Sequence, residues 1–368
     1  MIIKKLQLKN FRNYTEEEVA FSKNISLIYG ENAQGKTNIV EALYLFATGK
    51  SHRTKNVNEL IRYGESFFDI ILFFEENNYE QTLEIRYEKG KGKLLFINDV
   101  KKERLSDLLG VVPSVLFAPE SLLTVKGSPG DRRKILDIVL CQMNRTYLYN
   151  LQKYNRIVKN KNILLREHQT SNQNYQQLEI WSESQAKTGT YIISARKDII
   201  TSMERRMNRL LHGISEGKEK VQLKYRTFDD EGKPDDEALV EAIKKNLSRE
   251  IDQGNCLIGP HRDDLEIYVN QRNSRMYCSQ GQQRSVALAM NIAILEELEE
   301  KIGKSPILLL DDVMSELDEK RQKYLFDVID KRQTIITTTE KSKFEKPGEK
   351  MISYIQVKDG KIVESHPG

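Results

Sequence analysis

The 368 residues, 39% apolar and 30% charged, supply core enough for one large domain with an insertion or for two domains. No run of eighteen apolar residues occurs, which excludes a membrane-spanning helix. Cys141, Cys256 and Cys278 stand apart, with no CxxC and no paired histidines, which argues for reduced thiols in a cytosolic protein and against zinc.

The N-terminus lacks the long apolar run of a signal peptide and reads as the start of a first strand. Strands are predicted at residues 2–8, 17–21, 25–29, 67–75, 81–88 and 94–97. Several alternate at period two, and turn residues such as Asn77-Asn78 and Gly90-Lys91-Gly92 separate them. Between strand 25–29 and a predicted helix at 37–46 lies Gly30-Glu31-Asn32-Ala33-Gln34-Gly35-Lys36-Thr37, followed by Asn38. It fits G-x-x-x-x-G-K-[ST] without a mismatch, and the strand–loop–helix context is what a phosphate loop needs. Lys36 then reaches the β- and γ-phosphates, and Thr37 offers its hydroxyl to Mg²⁺. A second short helix is predicted at 58–63.

From Ser128 the pattern turns helical. Ser128-Pro129-Gly130-Asp131 has the order of a helix start, with serine as cap, proline at the first position and an acid at the third. Leu136, Leu140, Met143, Tyr147, Leu151, Tyr154 and Val158 recur at steps of three and four, which predicts one long helix with a single apolar stripe. A second stripe joins Ile192, Ile199, Met203, Met207, Leu210 and Ile214 across the polar stretch 167–177, so the two helices form an antiparallel hairpin. Residues 126–166 hold ten Lys or Arg against two acids. That segment suits a phosphate-rich polymer, and equally a solvated helix face.

A strand at 221–228, an acidic loop at 229–237 and a helix to residue 249 follow. The α/β alternation then resumes with strands at 265–269, 307–311 and 334–338, helices at 281–301 and 318–331, and a final hairpin of 352–358 with 361–364 across Asp359-Gly360. The phosphate loop and this late segment belong to one domain interrupted by a helical insertion. The expected parts are 1–115, an inserted lobe at 116–250, and 251–368.

Ile307-Leu308-Leu309-Leu310 ends in Asp311-Asp312. Four aliphatic residues suit a strand buried on both faces, and ligands bind at the C-terminal end of such strands. Asp311 is placed to hold Mg²⁺, and Asp312 to orient or deprotonate an attacking water. Ser279-Gln280-Gly281-Gln282 precedes an alanine-containing helix. It reads as a capping box, and also as a turn that offers a hydroxyl and free N–H groups to a γ-phosphate. Phosphate loop, helical insertion, S-x-G-Q, aliphatic run with two acids, then Ser315-Glu316-Leu317-Asp318 is the order of motifs in ABC-type ATPase heads.

Asn10-Phe11-Arg12-Asn13-Tyr14, the phosphate loop, Gly127-Ser128-Pro129 with Arg132-Arg133, Gly259 to Asp264, Ser279 to Gln283 and Leu309 to Asp318 make the resemblance closer. Over nearly its whole length the chain resembles the RecF family of bacterial DNA replication and repair proteins. The resemblance implies an α/β ABC-type ATPase head, mixed β-sheets around the phosphate-loop core, with an inserted, mostly helical lobe. It implies ATP and Mg²⁺ as cofactors, with Arg12 and Asn13 approaching the nucleotide. It also implies that the Ser279 turn serves the ATP of a second copy, so that two sites form only in a homodimer. Slow ATP hydrolysis stimulated by double-stranded DNA, RecR-like and RecO-like partners, help in recombinase loading and a cytoplasmic, nucleoid-associated setting follow from it as well.

Two features depart from the general ABC pattern. Residues 334–339 carry threonines where such heads usually have a switch histidine, and Phe117-Ala118-Pro119-Glu120 lacks the glutamine of a glutamine loop. The turn Gly259-Pro260-His261-Arg262-Asp263-Asp264 either couples to ATP or a partner subunit, or simply fixes local geometry. A DNA-binding scaffold with negligible turnover is the alternative function, and a small-molecule phosphate-loop kinase lacks acceptor-site signals.

Overall fold

The computed structural model describes residues 1–171, 175–229, 235–314, 317–329, 332–344 and 352–366. Its chain begins with β1 (Ile2–Phe11), β2 (Tyr14–Ala20) and β3 (Ile25–Tyr29), then α1 (Lys36–Thr48). Next come β4 (Phe67–Glu76), β5 (Tyr79–Glu88), β6 (Gly92–Ile97), β7 (Val100–Lys102) and β8 (Ser114–Phe117). The helices α2 (Leu123–Lys126), α3 (Pro129–Met143), α4 (Arg145–Ser171) and α5 (Tyr175–Ser215) follow, with β9 (Val221–Arg226) and α6 (Asp236–Gln253) after them. The last third holds β10 (Asp264–Val269), β11 (Arg272–Asn273), α7 (Ser274–Tyr277), α8 (Gln280–Ile302), β12 (Ile307–Asp311), α9 (Glu319–Ile329), β13 (Thr334–Thr338), β14 (Ile352–Lys358) and β15 (Lys361–His366).

Two compact units result: residues 1–121 with 291–368, and residues 122–290. The second runs past the 116–250 of the sequence reading because β10 pairs antiparallel with β9, from Asp264 opposite Arg226 to Val269 opposite Val221. The late boundary therefore falls inside α8.

The first unit holds two six-stranded sheets, ordered β2-β1-β4-β5-β6-β7 and β15-β14-β3-β13-β12-β8. In the antiparallel sheet, alternate residues of β4 are buried, Phe68, Ile70, Leu72 and Phe74 among them, as one-faced burial dictates. The other sheet is parallel from β14 to β8. All five residues of β12 and of β13 are buried, because helices and the antiparallel sheet cover both faces. One apolar core joins Leu6, Leu8, Phe68 and Ile85 of the first sheet to Ile39, Leu43 and Phe46 of α1 and to Leu309 and Ile335 of the second.

In the second unit α4 and α5 run antiparallel. Tyr147 meets Arg196 near the start of α4, and Lys161 meets Gln185 further along. The second stripe is fully buried. The predicted single helix through residues 129–158 is instead two helices. Asn144 leaves helical geometry (φ −142°, ψ 109°), and its side-chain oxygen caps α4 by accepting from the Thr146 and Tyr147 amides at 2.8 and 3.2 Å. Asparagine competes for backbone N–H groups in this way, and apolar periodicity runs through such a break unmarked. The short helix expected at 58–63 is a single 3₁₀ turn, Val57–Leu60. The connection at 172–174 and most of the acidic loop, 230–234, lie outside the described residues.

Candidate nucleotide site

Gly30 to Thr37 connects β3 to α1 at the C-terminal edge of the parallel strands. Gly30 has φ 154°, and a Cβ there would meet the Val357 carbonyl oxygen at 2.3 Å. Gly35 has φ 121°, and its Cβ would meet the Asn13 and Tyr14 side chains at 2.8 Å. Glycine is required at both by conformation and by space.

Two turns clamp the loop from outside. Asn13 Nδ2 donates to the Gln34 carbonyl at 2.9 Å and Tyr14 Oη to the Gly35 carbonyl at 3.0 Å, both from the β1–β2 turn. From the β14–β15 turn, the Gly360 amide donates to the Gln34 carbonyl at 3.0 Å and the Asp359 amide to Gln34 Oε1 at 2.5 Å. Asn38 Nδ2 donates to Asn13 Oδ1 at 2.8 Å. Asn13, expected from the resemblance to approach the nucleotide, thus touches the phosphate loop itself. Arg12 does something else: its guanidinium forks onto buried Glu41 of α1 at 2.7 and 2.8 Å. Tyr14, Asp359 and Gly360 were not singled out as site residues. Only the turn dipeptide marked the last two, and nothing marked Tyr14 beyond its place in the early motif.

Inside the loop, Lys36 Nζ donates to the carbonyls of Gly30 and Glu31 at 2.8 and 2.7 Å. Burial pulls its pKa down while Asp312 and Asp311 hold it up. Thr37 Oγ1 donates to Asp311 Oδ1 at 2.9 Å, and Thr337 Oγ1 of β13 donates to the same oxygen at 2.6 Å. Burial raises the Asp311 pKa against these two hydrogen bonds. Asp312 follows in the left-handed region (φ 53°), with its amide donating to Thr337 Oγ1 at 3.0 Å. Residues 30 to 38, 311 and 312 are therefore brought together at one sheet edge.

A hydroxyl and a carboxylate oxygen 2.9 Å apart are hard donors of the kind Mg²⁺ takes beside substrate phosphates. Among the described residues no group of three or more His, Cys, Asp or Glu could hold a metal ion. Glu120, beyond β8, faces Asp311 closely enough to raise its pKa. Ser315 and Glu316 lie outside the described residues, while Asp318 caps α9 by accepting from the Arg321 amide at 2.9 Å.

The family model described as the RecF/RecN/SMC N terminal domain matches residues 2–363. The DNA replication and repair protein RecF of Acetivibrio thermocellus is 39% identical over 367 residues, which is 98% of this chain and 99% of its own length. The chain belongs to the RecF family. RecF of Ruminiclostridium cellulolyticum is also 39% identical, over 353 residues and 94% of each chain. Two solved structures of the recombination mediator protein RecF in the RecFOR pathway superimpose closely. RecF-ATP does so with a TM-score of 0.92 at 33% identity, and RecF-ATPrS with 0.90 at 32%, each covering 99% of this chain and 97% of its own. The Smc head domain of Pyrococcus furiosus shares the fold at 18% identity and a TM-score of 0.58. An ABC-type ATPase head with a helical insertion is thus the fold of this RecF-family chain.

In the second unit, Ser279 and Gln282 form the expected capping box. The Ser279 amide donates to Gln282 Oε1 at 3.0 Å, and the Gln282 amide to Ser279 Oγ at 3.2 Å. Ser279 and Gln280 are exposed and Gly281 half-buried. The turn at 259–264 is held within its own unit. His261 Nδ1 pairs with Tyr154 Oη at 2.6 Å, Asp263 accepts from Tyr225 at 2.8 Å, and Asp264 takes a fork from Arg132 at 2.8 Å. That bonding fits the geometric reading of the turn. It also removes cations from the basic count. Arg132 is buried on Asp264, and Lys161 is buried on Glu250 at 2.7 Å. Lys126, Lys134, Arg145, Lys153, Arg156, Lys159 and Arg166 remain exposed. Among the described residues no helix is long and apolar enough to cross a membrane.

Proposed function

We propose that the chain is an ATP-dependent DNA-binding protein of recombinational repair and replication-fork maintenance. ATP joins two copies into a clamp on double-stranded DNA near single-strand gaps, and slow hydrolysis releases them. One observation carries this reading: Thr37, Asp311 and Thr337 meet on one carboxylate oxygen, so the phosphate loop and the paired aspartates act as one site.

In that site the loop amides cradle the phosphates at the start of α1. Lys36 exchanges the Gly30 and Glu31 carbonyls for β- and γ-phosphate oxygens. Thr37 and Asp311 are the residues that would hold Mg²⁺, which supplies charge neutralisation on those oxygens when bound. Asp312 orients the attacking water and takes its proton. The turn Ser279 to Gln282, exposed at Ser279 and Gln280, offers its hydroxyl and helix N-terminus to the ATP of a second copy, which makes each site composite. β13 brings threonines and no histidine to the sheet edge, which supports slow turnover.

The exposed cations of α3 and α4 supply phosphate contacts, and no base-reading motif accompanies them, so sequence preference is weak. The RecFOR pathway of the solved relatives supports RecR-like and RecO-like partners in loading a recombinase, in the cytoplasm and on the nucleoid. Asp312→Asn tests the catalytic part: ATP-dependent closure on DNA persists and release stops. A variant that hydrolyses ATP and leaves DNA at the wild-type rate would return the chain to a nucleotide-stabilised scaffold.

A further inference from the structure

His52 lies in the loop after α1, and nothing above uses it. Two of its side chains pin that loop to α1. Ser51 Oγ donates to Glu41 Oε1 at 2.5 Å and accepts from the Arg53 and Thr54 amides at 3.0 and 3.1 Å. Arg53 donates to Asn38 Oδ1 at 2.8 Å and to Glu41 Oε2 at 3.4 Å. Glu41 itself is held by Arg12. The segment is thereby fixed within one to two helical turns of Lys36 and Thr37.

The His52 ring stands edge-on to Tyr44, with centroids 5.4 Å apart and planes at 88°. Both its nitrogens are buried, and neither has a hydrogen-bond partner among the described residues. Buried polar atoms are seldom left so, and those that are call for a ligand or a function. The obvious internal partners are taken. Both Glu41 oxygens accept from Arg12, and Asp311 Oδ1 accepts from Thr37 and Thr337. Burial lowers the His52 pKa although Glu41, Asp311 and Glu120 all face it, with Arg53 the opposing cation. A neutral imidazole has one N–H to give, and Asp311, one of the carboxylates facing the ring, accepts from Thr37 of the phosphate loop at 2.9 Å.

We propose that His52 donates a hydrogen bond to the terminal phosphate of a bound nucleoside triphosphate and so distinguishes ATP from ADP, the task left open by the histidine missing from the end of β13. This rests on the reading of Gly30 to Thr37 as the triphosphate site. The test uses the full chain with Mg²⁺ and measures affinity for ADP and for a non-hydrolysable ATP analogue by calorimetry. His52→Phe keeps the ring packed on Tyr44 and removes the donor, and His52→Gln restores an N–H.

The expected result is about a tenfold loss of analogue affinity in His52→Phe, the worth of one hydrogen bond to a charged group. ADP affinity stays within about twofold, and His52→Gln recovers part of the loss. Parallel loss of both nucleotides, or no change in either, overturns the proposal. A Lys36→Ala control separates the two failures: if it binds the analogue as the wild type does, the phosphate-loop reading falls as well, and if it does not, only the His52 assignment falls.

Discussion

Asp311 accepts two hydroxyl hydrogen bonds on a single oxygen, one from α1 and one from β13, and that sharing explains why the residue is useful although buried. Burial disfavours its charge, and the hydroxyls restore part of it. Lys36 is balanced the same way, with burial against the two aspartates. Its compact ammonium fits between two carbonyls at 2.7 and 2.8 Å, a site too tight for a planar guanidinium. Lys36→Arg therefore weakens ATP binding by at least about tenfold, roughly one charged hydrogen bond, and equilibrium dialysis with labelled ATP checks it.

A second residue-scale effect concerns pH. Burial pushes the His261 imidazole down to about 4, with Arg262, Arg133 and Lys161 adding to the effect against the Cys256 carbonyl. In the unfolded chain the same ring titrates near 6.5. As pH falls, the unfolded state takes up the proton first. Stability is thus full above about 6.5 and is lost as pH drops toward about 4. Between pH 7 and pH 5 this one residue removes about 2 kcal/mol. Asp263, whose pKa burial raises, works in the opposite sense, so the informative quantity is the difference between wild type and His261→Gln. That difference, taken from urea unfolding free energies at the two pH values, should change by about 2 kcal/mol, and an unchanged difference would exclude the assignment.

At the scale of elements, the strands were legible wherever alternation or a continuous aliphatic run marked them. β3, β12, β13 and β14 match the sequence reading residue for residue. β7 and β8 were missed because three or four residues hold too little pattern. The α3–α4 break was hidden because the stripe keeps its phase across Asn144. Replacing that residue with alanine removes the α4 cap and costs about 1 kcal/mol, measurable by chemical denaturation. The basic segment was only half legible, since composition cannot distinguish Arg132 and Lys161, which hold the lobe together, from the exposed cations beside them. The phosphate-loop motif was legible in the sequence as a segment between a strand and a helix, but the sequence could not show that turns from β1–β2 and β14–β15 clamp Gln34 and Gly35. Lys153, Arg156 and Lys159 are exposed and unpaired among the described residues. Changing all three to glutamine lowers the slope of log affinity against log salt by up to about 3, at roughly 0.9 per lost phosphate contact. Changing Arg132 instead destabilises the lobe and leaves that slope nearly unaltered in whatever remains folded.

For the whole molecule, the order of motifs carried more information than any one of them. A phosphate loop alone announces a nucleotide, whereas its combination with the Ser279 turn and the paired aspartates led to the RecF family, which similarity over nearly the full length bears out. Under the proposed function, a second copy supplies half of each site. Ser279→Arg leaves Lys36, Thr37 and Asp311 untouched, so each monomer still takes up ATP, yet the arginine meets the partner's phosphate loop and closure stops. The most direct measurement is sedimentation of the full chain with and without ATP and duplex DNA, in the wild type and in Ser279→Arg. The account predicts a wild-type dimer that requires ATP and is favoured by DNA, and a variant that stays monomeric while binding ATP normally. A wild type whose sedimentation ignores ATP, or a Ser279→Arg chain that dimerises as readily as wild type, would contradict it.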